Sequence, residues 1–156
     1  MLIVQQVSKS CGSFQALDKV SFEMKKGDIV GLLGKNAAGK TTLMRILTSF
    51  ISASSGTVHI DGDDIAKHSL TIRQKIGYLP EKPPLYGDMT VQYYLKFAAE
   101  IKGVPKNNRL SQLAKVLEEC DLEQVKQKTI ATLSKGYKQR VGIAQAIIHE
   151  HTPASS

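Results

Sequence analysis

Apolar residues in the first half of the chain fall in short blocks that are typical of strands. The segments LIVQQV and KVSFEM, at residues 2–7 and 19–24, predict two β-strands. The continuous apolar run DIVGLLG, at residues 28–34, ends in glycine and predicts a strand buried on both faces. TVHIDG and IGYL, at residues 57–62 and 76–79, predict two more strands. A small β unit around one buried strand is therefore expected.

The apolar spacing then becomes helical. One helix is expected within GKTTLMRILTSF, and three more follow a proline-rich connector, at residues 91–102, at residues 108–120 and from Ser134 onward. Thr90 should cap the first of these three helices and Gly103 should end it. In the second, Leu110, Leu113 and Leu117 are expected on one buried face. The chain thus divides into a β unit with a helix and a helical block.

Composition and charge narrow the class of protein. The chain has 156 residues, 42% of them hydrophobic, and a formal net charge of +7. Its positive residues are spread along the sequence, so nucleic acid is not an expected partner. The two cysteines, Cys11 and Cys120, are far apart and predict neither a disulfide framework nor a zinc site. No apolar stretch approaches the roughly 20 residues of a membrane span, and we expect a cytoplasmic protein.

The stretch GLLGKNAAGKTTL carries the first motif with a chemical meaning. Gly34, Gly39, Lys40 and Thr41 satisfy the pattern G-x-x-x-x-G-K-[ST]. The glycines let backbone N–H groups approach an anion, Lys40 can reach the β- and γ-phosphates, and Thr41 can offer a hydroxyl to Mg²⁺. An ordinary glycine-rich turn is the alternative, but a position between an apolar run and a helix favours a nucleotide site.

The second motif is LSKGYKQR. Ser134 stands where a helix begins and Gly136 lies in its first turn, an arrangement that favours an anion. A serine-capped helix of no special function is equally compatible with these residues alone. The order and distance after the phosphate loop favour the functional interpretation.

With both motifs in place, the chain resembles the ATP-binding subunits of ABC transporters, over nearly all residues to about His149. The resemblance implies an α/β fold: a P-loop NTPase domain of the ABC type with an N-terminal antiparallel β subdomain and a helical subdomain. It divides this chain into a β subdomain and P-loop core (1–82), a connector with helical subdomain and signature helix (83–149), and an atypical tail (150–156). The forms LSKGY and YLPE resemble the export and gliding-motility subgroup.

The resemblance also implies partners and ligands, namely ATP, Mg²⁺, a transmembrane permease and a second ATP-binding subunit arranged head to tail at the inner face of the membrane. It places phosphate and Mg²⁺ contacts at Gly34, Asn36, Ala38, Gly39, Lys40, Thr41 and Thr42. Glu81, at the Q-loop position, would sense Mg²⁺ together with Thr41 and relay to the permease. Ser134 and Gly136 would contact the γ-phosphate of ATP held by the second subunit.

Three residues depart from the family pattern near the nucleotide. Cys11 occupies the position of the aromatic residue that stacks on adenine; the nearby Phe14 is the candidate substitute, unless it is simply packed. Ala37 replaces a usual glycine and is expected to have a negative φ. Glu81 replaces the usual glutamine, which brings a carboxylate near phosphate.

The acidic pair that the family uses for hydrolysis is the largest departure. After AQAIIH the family continues into an apolar strand that ends in Asp and Glu, whereas this chain reads EHTPASS. We therefore assign no catalytic residue, and expect a truncated or frame-shifted copy with an incomplete core sheet. The alternative to a transporter ATPase is a non-catalytic nucleotide-binding fragment or remnant. A soluble ABC protein acting on nucleic acid would need a second cassette or a basic insertion.

Overall fold

The computed structural model describes residues 1–35 and 37–149. The chain separates into two compact units, of which the first is Met1–Arg73 and the second begins at Gln74. Each unit has its own buried core, and each carries one of the two motifs.

The first unit is built on a four-stranded antiparallel sheet. Its strands are β1 (Leu2–Cys11), β2 (Phe14–Met24), β3 (Ser55–Ile60) and β4 (Asp63–Asp64), in the order β2-β1-β3-β4. Helix α1 (Lys40–Leu47) buries Leu43 and Ile46, as its sequence spacing predicts. The strands predicted at residues 2–7, 19–24 and 57–62 are confirmed, although β1 and β2 are longer than predicted.

The strand predicted at residues 28–34 is wrong. These residues form no regular structure, and their apolar side chains are exposed: Ile29 fully and Leu33 to 92%. A strand buried on both faces needs hydrogen-bonded neighbours and a covering layer, and none of the described strands pairs with this run. The run therefore has the composition of a central strand without a sheet around it.

The strand predicted at residues 76–79 is also wrong, because this segment has no strand partner among the described residues. Helix α2 (Ser69–Lys75), which precedes it, was not predicted. This helix is short and buries only Ile72. An amphipathic signal over seven residues is too weak to detect by periodicity.

The second unit is helical. Its helices are α3 (Val91–Ile101), α4 (Arg109–Glu119) and α5 (Lys135–Ile147), and two single turns of 3₁₀ helix, Glu123–Val125 and Ile130–Thr132, lie between α4 and α5. One continuous apolar core connects them, centred on fully buried side chains that include Leu95, Val116, Leu122, Ile130 and Val141. All three predicted helices are confirmed.

Local capping explains where these helices begin. The Thr90 side chain accepts a hydrogen bond from the backbone N–H of Tyr93 at 3.3 Å, as its position before the apolar repeat predicts. Gly103 follows α3 with a φ of +76°, which ends the helix. The buried face predicted for α4 needs one correction: Leu110 is 69% exposed, and Gln112 is buried beside Leu113 and Leu117 instead.

Among the described residues, no helix combines the length and the apolar character needed to cross a membrane.

Candidate functional site: the phosphate loop and the signature helix

The phosphate loop is shaped by contact with strand β2. Gly39 caps α1 with a φ of +78°, in the left-handed region that favours glycine. A Cβ at Gly39 would lie 2.3 Å from the Ala16 carbonyl oxygen and 2.7 Å from Leu17 Cδ2. Both the backbone conformation and the close approach of β2 therefore require glycine at this position.

Lys40 lies at the inner side of the same loop. Its Nζ donates hydrogen bonds to the carbonyl oxygens of Gly34 and, at 2.7 Å, of Lys35. A Cβ at Gly34 would lie 3.3 Å from Ala38 Cβ, a tight contact, and 3.9 Å from Lys40 Nζ, an ordinary contact distance. The loop thus holds the Lys40 ammonium against neutral carbonyl oxygens. The charged oxygens of a phosphate can compete with these carbonyl oxygens for the ammonium.

A cavity of about 300 Å³ opens on this loop. It is lined by Phe14, Ala16, Ala37, Ala38, Gly39, Lys40, Thr41 and Thr42. The cavity therefore combines an ammonium, two hydroxyls, the beginning of a helix and an aromatic ring. This donor set fits the phosphates and the flat base of a nucleotide. Asn36, also predicted to contact phosphate, lies outside the described residues.

The β1–β2 hairpin brings Phe14 to the cavity. Cys11 and Phe14 face each other as the last pair of the two strands, and the Phe14 side chain is 60% exposed. Cys11 is exposed but does not line the cavity. The alternative that Phe14 is simply packed in a core does not hold, since most of its surface is accessible.

Ala37 corrects an expectation. Its φ is +66°, not negative as we expected for an alanine in this position. A left-handed conformation costs an L-residue with a Cβ about 1–2 kcal/mol. The loop therefore keeps the backbone shape that glycine would adopt freely, and Ala37 carries the strain.

At the other motif, Ser134 caps helix α5 and its Oγ accepts a hydrogen bond from the Tyr137 backbone N–H at 3.4 Å. Lys135 and Gly136 are exposed, and a Cβ added at Gly136 would meet nothing within 4 Å. No acidic residue lies in the first turn. The positive end of the helix dipole is thus open to solvent and can approach an anion.

Residues 17–152 match the protein family described as ABC transporter. The chain belongs to this family.

Curated ABC relatives cover the chain almost completely. A bacitracin transport ATP-binding protein of Bacillus licheniformis, BcrA, is 37% identical over 92% of this chain and 46% of its own length. The uncharacterized YxlF of Bacillus subtilis is 36% identical over 96% of this chain and 49% of its own length. A probable sulfate/thiosulfate import ATP-binding protein of Chlorella vulgaris, CysA, is 35% identical over 96% of this chain and 63% of its own length. The chain spans about half the length of the first two.

Solved structures confirm the fold class. An ATP-binding subunit of an ABC transporter superimposes with a TM-score of 0.87 at 31% identity, covering 96% of this chain and 62% of that structure. The ATP-binding cassette MJ0796, solved with ADP and phosphate, shows the same fold with a TM-score of 0.82 at 24% identity. This chain is therefore a P-loop NTPase of the ABC type, and it forms part of that domain.

The two residues predicted to meet at Mg²⁺ belong to different units. Thr41 lies on α1 in the first unit, and Glu81 lies on an exposed bend in the second. Among the described residues, no group of three or more His, Cys, Asp or Glu side chains could hold a metal ion. A magnesium ion here would depend on nucleotide oxygens for much of its coordination, as Mg²⁺ does at other nucleotide sites.

The connector between Glu81 and α3 presents an aromatic cluster. The Tyr86 ring packs edge-on against Tyr94 and Phe97, with ring centroids 6.0 and 5.8 Å apart, and Tyr86 remains 54% exposed. Burial, followed by the nearby Tyr86 phenol, raises the pKa of Tyr94. Tyr86 is thus an exposed ring that is held in place by its contacts with Tyr94 and Phe97.

Residues that the sequence analysis did not single out hold the segment before the connector. Lys102, at the end of α3, donates a hydrogen bond from Nζ to the Ile76 carbonyl oxygen at 2.6 Å. Partial burial lowers the pKa of this lysine. Nε2 of His149 lies 3.1 Å from the carbonyl oxygen of Lys75. Glycines at positions 77 and 142 were the only sequence signal of this packing.

Proposed function

We propose that the chain is the ATP-binding part of an ABC transporter subunit and that it holds Mg-ATP at the loop of residues 34–42. The observation that carries this proposal is the cavity in which Gly39 is required by contact with β2 and Lys40 is presented by the loop. Family membership supports it, since ABC ATPases bind ATP. One of the relatives, BcrA, is likewise described as an ATP-binding protein, of bacitracin transport.

The residue roles in this proposal follow the loop. Phosphate contacts are assigned to Gly34, Asn36, Ala38, Gly39, Lys40, Thr41 and Thr42. Phe14 would stack on adenine in place of the aromatic residue that Cys11 replaces. Thr41 and Glu81 would reach Mg²⁺, directly or through water. Ser134 and Gly136 would bind the γ-phosphate of ATP on a second subunit, which the open beginning of α5 permits.

The transport direction we propose is export, with the chain at the cytoplasmic face of a membrane beside a permease. This rests on the forms LSKGY and YLPE. Overall identity does not discriminate direction, because the import protein CysA and BcrA have nearly the same identity to this chain. The 156 residues contain no Asp followed by Glu, so we propose further that the chain alone does not hydrolyse ATP. A non-catalytic nucleotide-binding fragment is the alternative.

Lys40→Ala tests nucleotide binding. Loss of the ammonium removes charge-assisted hydrogen bonds to the β- and γ-phosphates, and we expect affinity for ATP to fall about 10- to 100-fold. Isothermal titration calorimetry with ATP and Mg²⁺ measures this. Lys26→Ala, which removes the same charge from an exposed turn of the first unit, is the control and should bind normally. Equal affinity of wild type and Lys40→Ala would refute the site.

Tyr86→Ser tests docking to the permease. An exposed aromatic ring that is held in place by neighbouring side chains is a typical centre of an interface. Truncating such a ring often costs about 2 kcal/mol, or roughly 30-fold in affinity. Co-purification with a cognate permease should drop accordingly. Tyr93→Ser is the matched control, because Tyr93 is a tyrosine of similar exposure, 60% against 54%, outside the aromatic cluster. The docking assignment is wrong if the two variants retain the permease equally.

A further inference from the structure

Gly142 is a buried glycine in the middle of helix α5. Glycine is among the poorest helix formers, so its presence there calls for a steric reason. A Cβ at Gly142 would lie 2.7 Å from Leu79 Cδ1 and 2.8 Å from Pro83 Cγ. Both distances are far below a normal carbon–carbon contact. Two positions of the segment that flanks Glu81 therefore touch the same point of the helix.

The contacts continue toward the end of α5 and into the turn that follows it. A Cβ at Gly77 would lie 2.5 Å from the Ala146 carbonyl oxygen, and the His149 ring contacts the Lys75 carbonyl oxygen. Positions 142 and 146 are four residues apart on α5, which places them on one face about 5–6 Å apart, and His149 lies in the turn after the helix. Their partners Leu79 and Gly77 are two residues apart, about 6.6 Å in extended chain, whereas Lys75 is the last residue of α2. The two spacings match.

Segment 77–79 thus runs antiparallel along α5 from Ala146 to Gly142. The chain leaves the helix after Leu79 and returns to the same glycine at Pro83. Glu81 is the midpoint of this short loop and is exposed. We infer that Gly142 seats the Glu81 loop on the signature helix and thereby fixes the position of the Glu81 backbone relative to Ser134.

The consequence is a fixed geometry between two parts of the proposed site. Ser134 caps the same helix, about 12 Å along its axis from Gly142. Any side chain at position 142 must push the stems of the Glu81 loop away, because the space is already filled by Leu79 and Pro83. Gly142 is in this sense a positioning residue for Glu81. The inference rests on the proposed function only in taking Glu81 as the residue that senses Mg²⁺.

Limited digestion of the full chain with a glutamyl endopeptidase tests the seating directly. In Gly142→Ala, cleavage after Glu81 should become about 10- to 100-fold faster, since overpacking opens the loop. Cleavage after Glu23, on β2 in the first unit, should not change and serves as the internal reference. Gly136→Ala is the matched control: it makes the same substitution in the same helix where a Cβ meets nothing within 4 Å.

A double-mutant cycle separates seating from a general loss of stability. In a background with Leu79→Ala and Pro83→Gly, all three atoms nearest the added methyl are removed, and Gly142→Ala should change Glu81 cleavage by less than about twofold. An equal rise after Glu23, an equal rise in Gly136→Ala, or a full effect in the cycle background would each overturn the inference. If Gly142→Ala does not fold, Leu79→Ala alone must accelerate Glu81 cleavage, and unchanged cleavage overturns the inference.

ATP titration of the same proteins keeps the two proposals distinguishable. If wild type binds no ATP, the proposed function fails while the cleavage ratios still decide the seating. If ATP binds but the ratio of cleavage after Glu81 to cleavage after Glu23 is the same in Gly142→Ala and wild type, the seating inference fails and the nucleotide site stands.

Discussion

A chain continued through the family's acidic pair should hydrolyse ATP at least about 10²- to 10⁴-fold faster than the 156-residue chain, which is expected to bind ATP without turning it over. Phosphoryl transfer needs positioned phosphates, metal charge and an oriented water. Lys40 and Thr41 can contribute to the first two. The sequence of 156 residues has no Asp–Glu pair to supply the third.

The measurement is phosphate release under saturating Mg-ATP, with the continuation taken from the corresponding segment of a relative such as BcrA. Lys40→Ala in the continued chain is the control and should abolish the added activity. Turnover by the 156-residue chain at the rate of the continued one, itself lost with Lys40→Ala, would mean that another residue activates the water.

The same pair of proteins should differ in stability, for a reason visible in the exposed run at residues 28–34. Ile29 and Leu33 alone leave two large side chains almost entirely in water. Burying such a side chain is worth about 1.5–3 kcal/mol. If the continuation supplies neighbouring strands, these residues become covered and the melting temperature rises with the gain of activity. Activity without any rise in melting temperature would separate catalysis from completion of the sheet.

Local signals were read correctly from the sequence where the structure depends on neighbours in the chain. Thr90 and Ser134 cap the helices that they were predicted to cap, because the capping hydrogen bond closes within three residues. The motif spacing around Gly39 and Lys40 likewise predicted a loop that opens a helix.

The failures have in common that the deciding partner is distant in sequence. Residues 28–34 have the composition of a buried strand, but a strand exists only with a partner to pair with, and composition cannot report one. Leu110 points outward because the packing of α4 selects Leu113, Val116 and Leu117, with Gln112 beside them. Phe14 reaches the cavity through the register of a hairpin. The role of Gly142 depends on a segment some sixty residues earlier in the chain.

Gly39→Ala and Ala37→Gly should act in opposite directions although the positions are two residues apart and each change is a single methyl group. At Gly39 the methyl would meet the Ala16 carbonyl oxygen at 2.3 Å and impose a φ of +78° on an alanine. Steric conflict with backbone costs about 1–3 kcal/mol and the left-handed conformation about 1–2 kcal/mol more. The loop must shift, and we expect ATP affinity to fall at least 100-fold, together with a lower melting temperature.

At Ala37 the methyl is already present on a φ of +66°. Removing it relieves about 1–2 kcal/mol of strain, offset by about 0.4–1 kcal/mol of added freedom in the unfolded chain. Ala37→Gly should therefore raise the free energy of unfolding by up to about 1.5 kcal/mol, measured by urea denaturation, with ATP affinity unchanged or higher. A destabilised Ala37→Gly would mean that this residue is not left-handed in solution. Normal ATP binding by Gly39→Ala would mean that β2 does not confine the loop. The two variants thus test the backbone shape of the phosphate loop independently of its lysine.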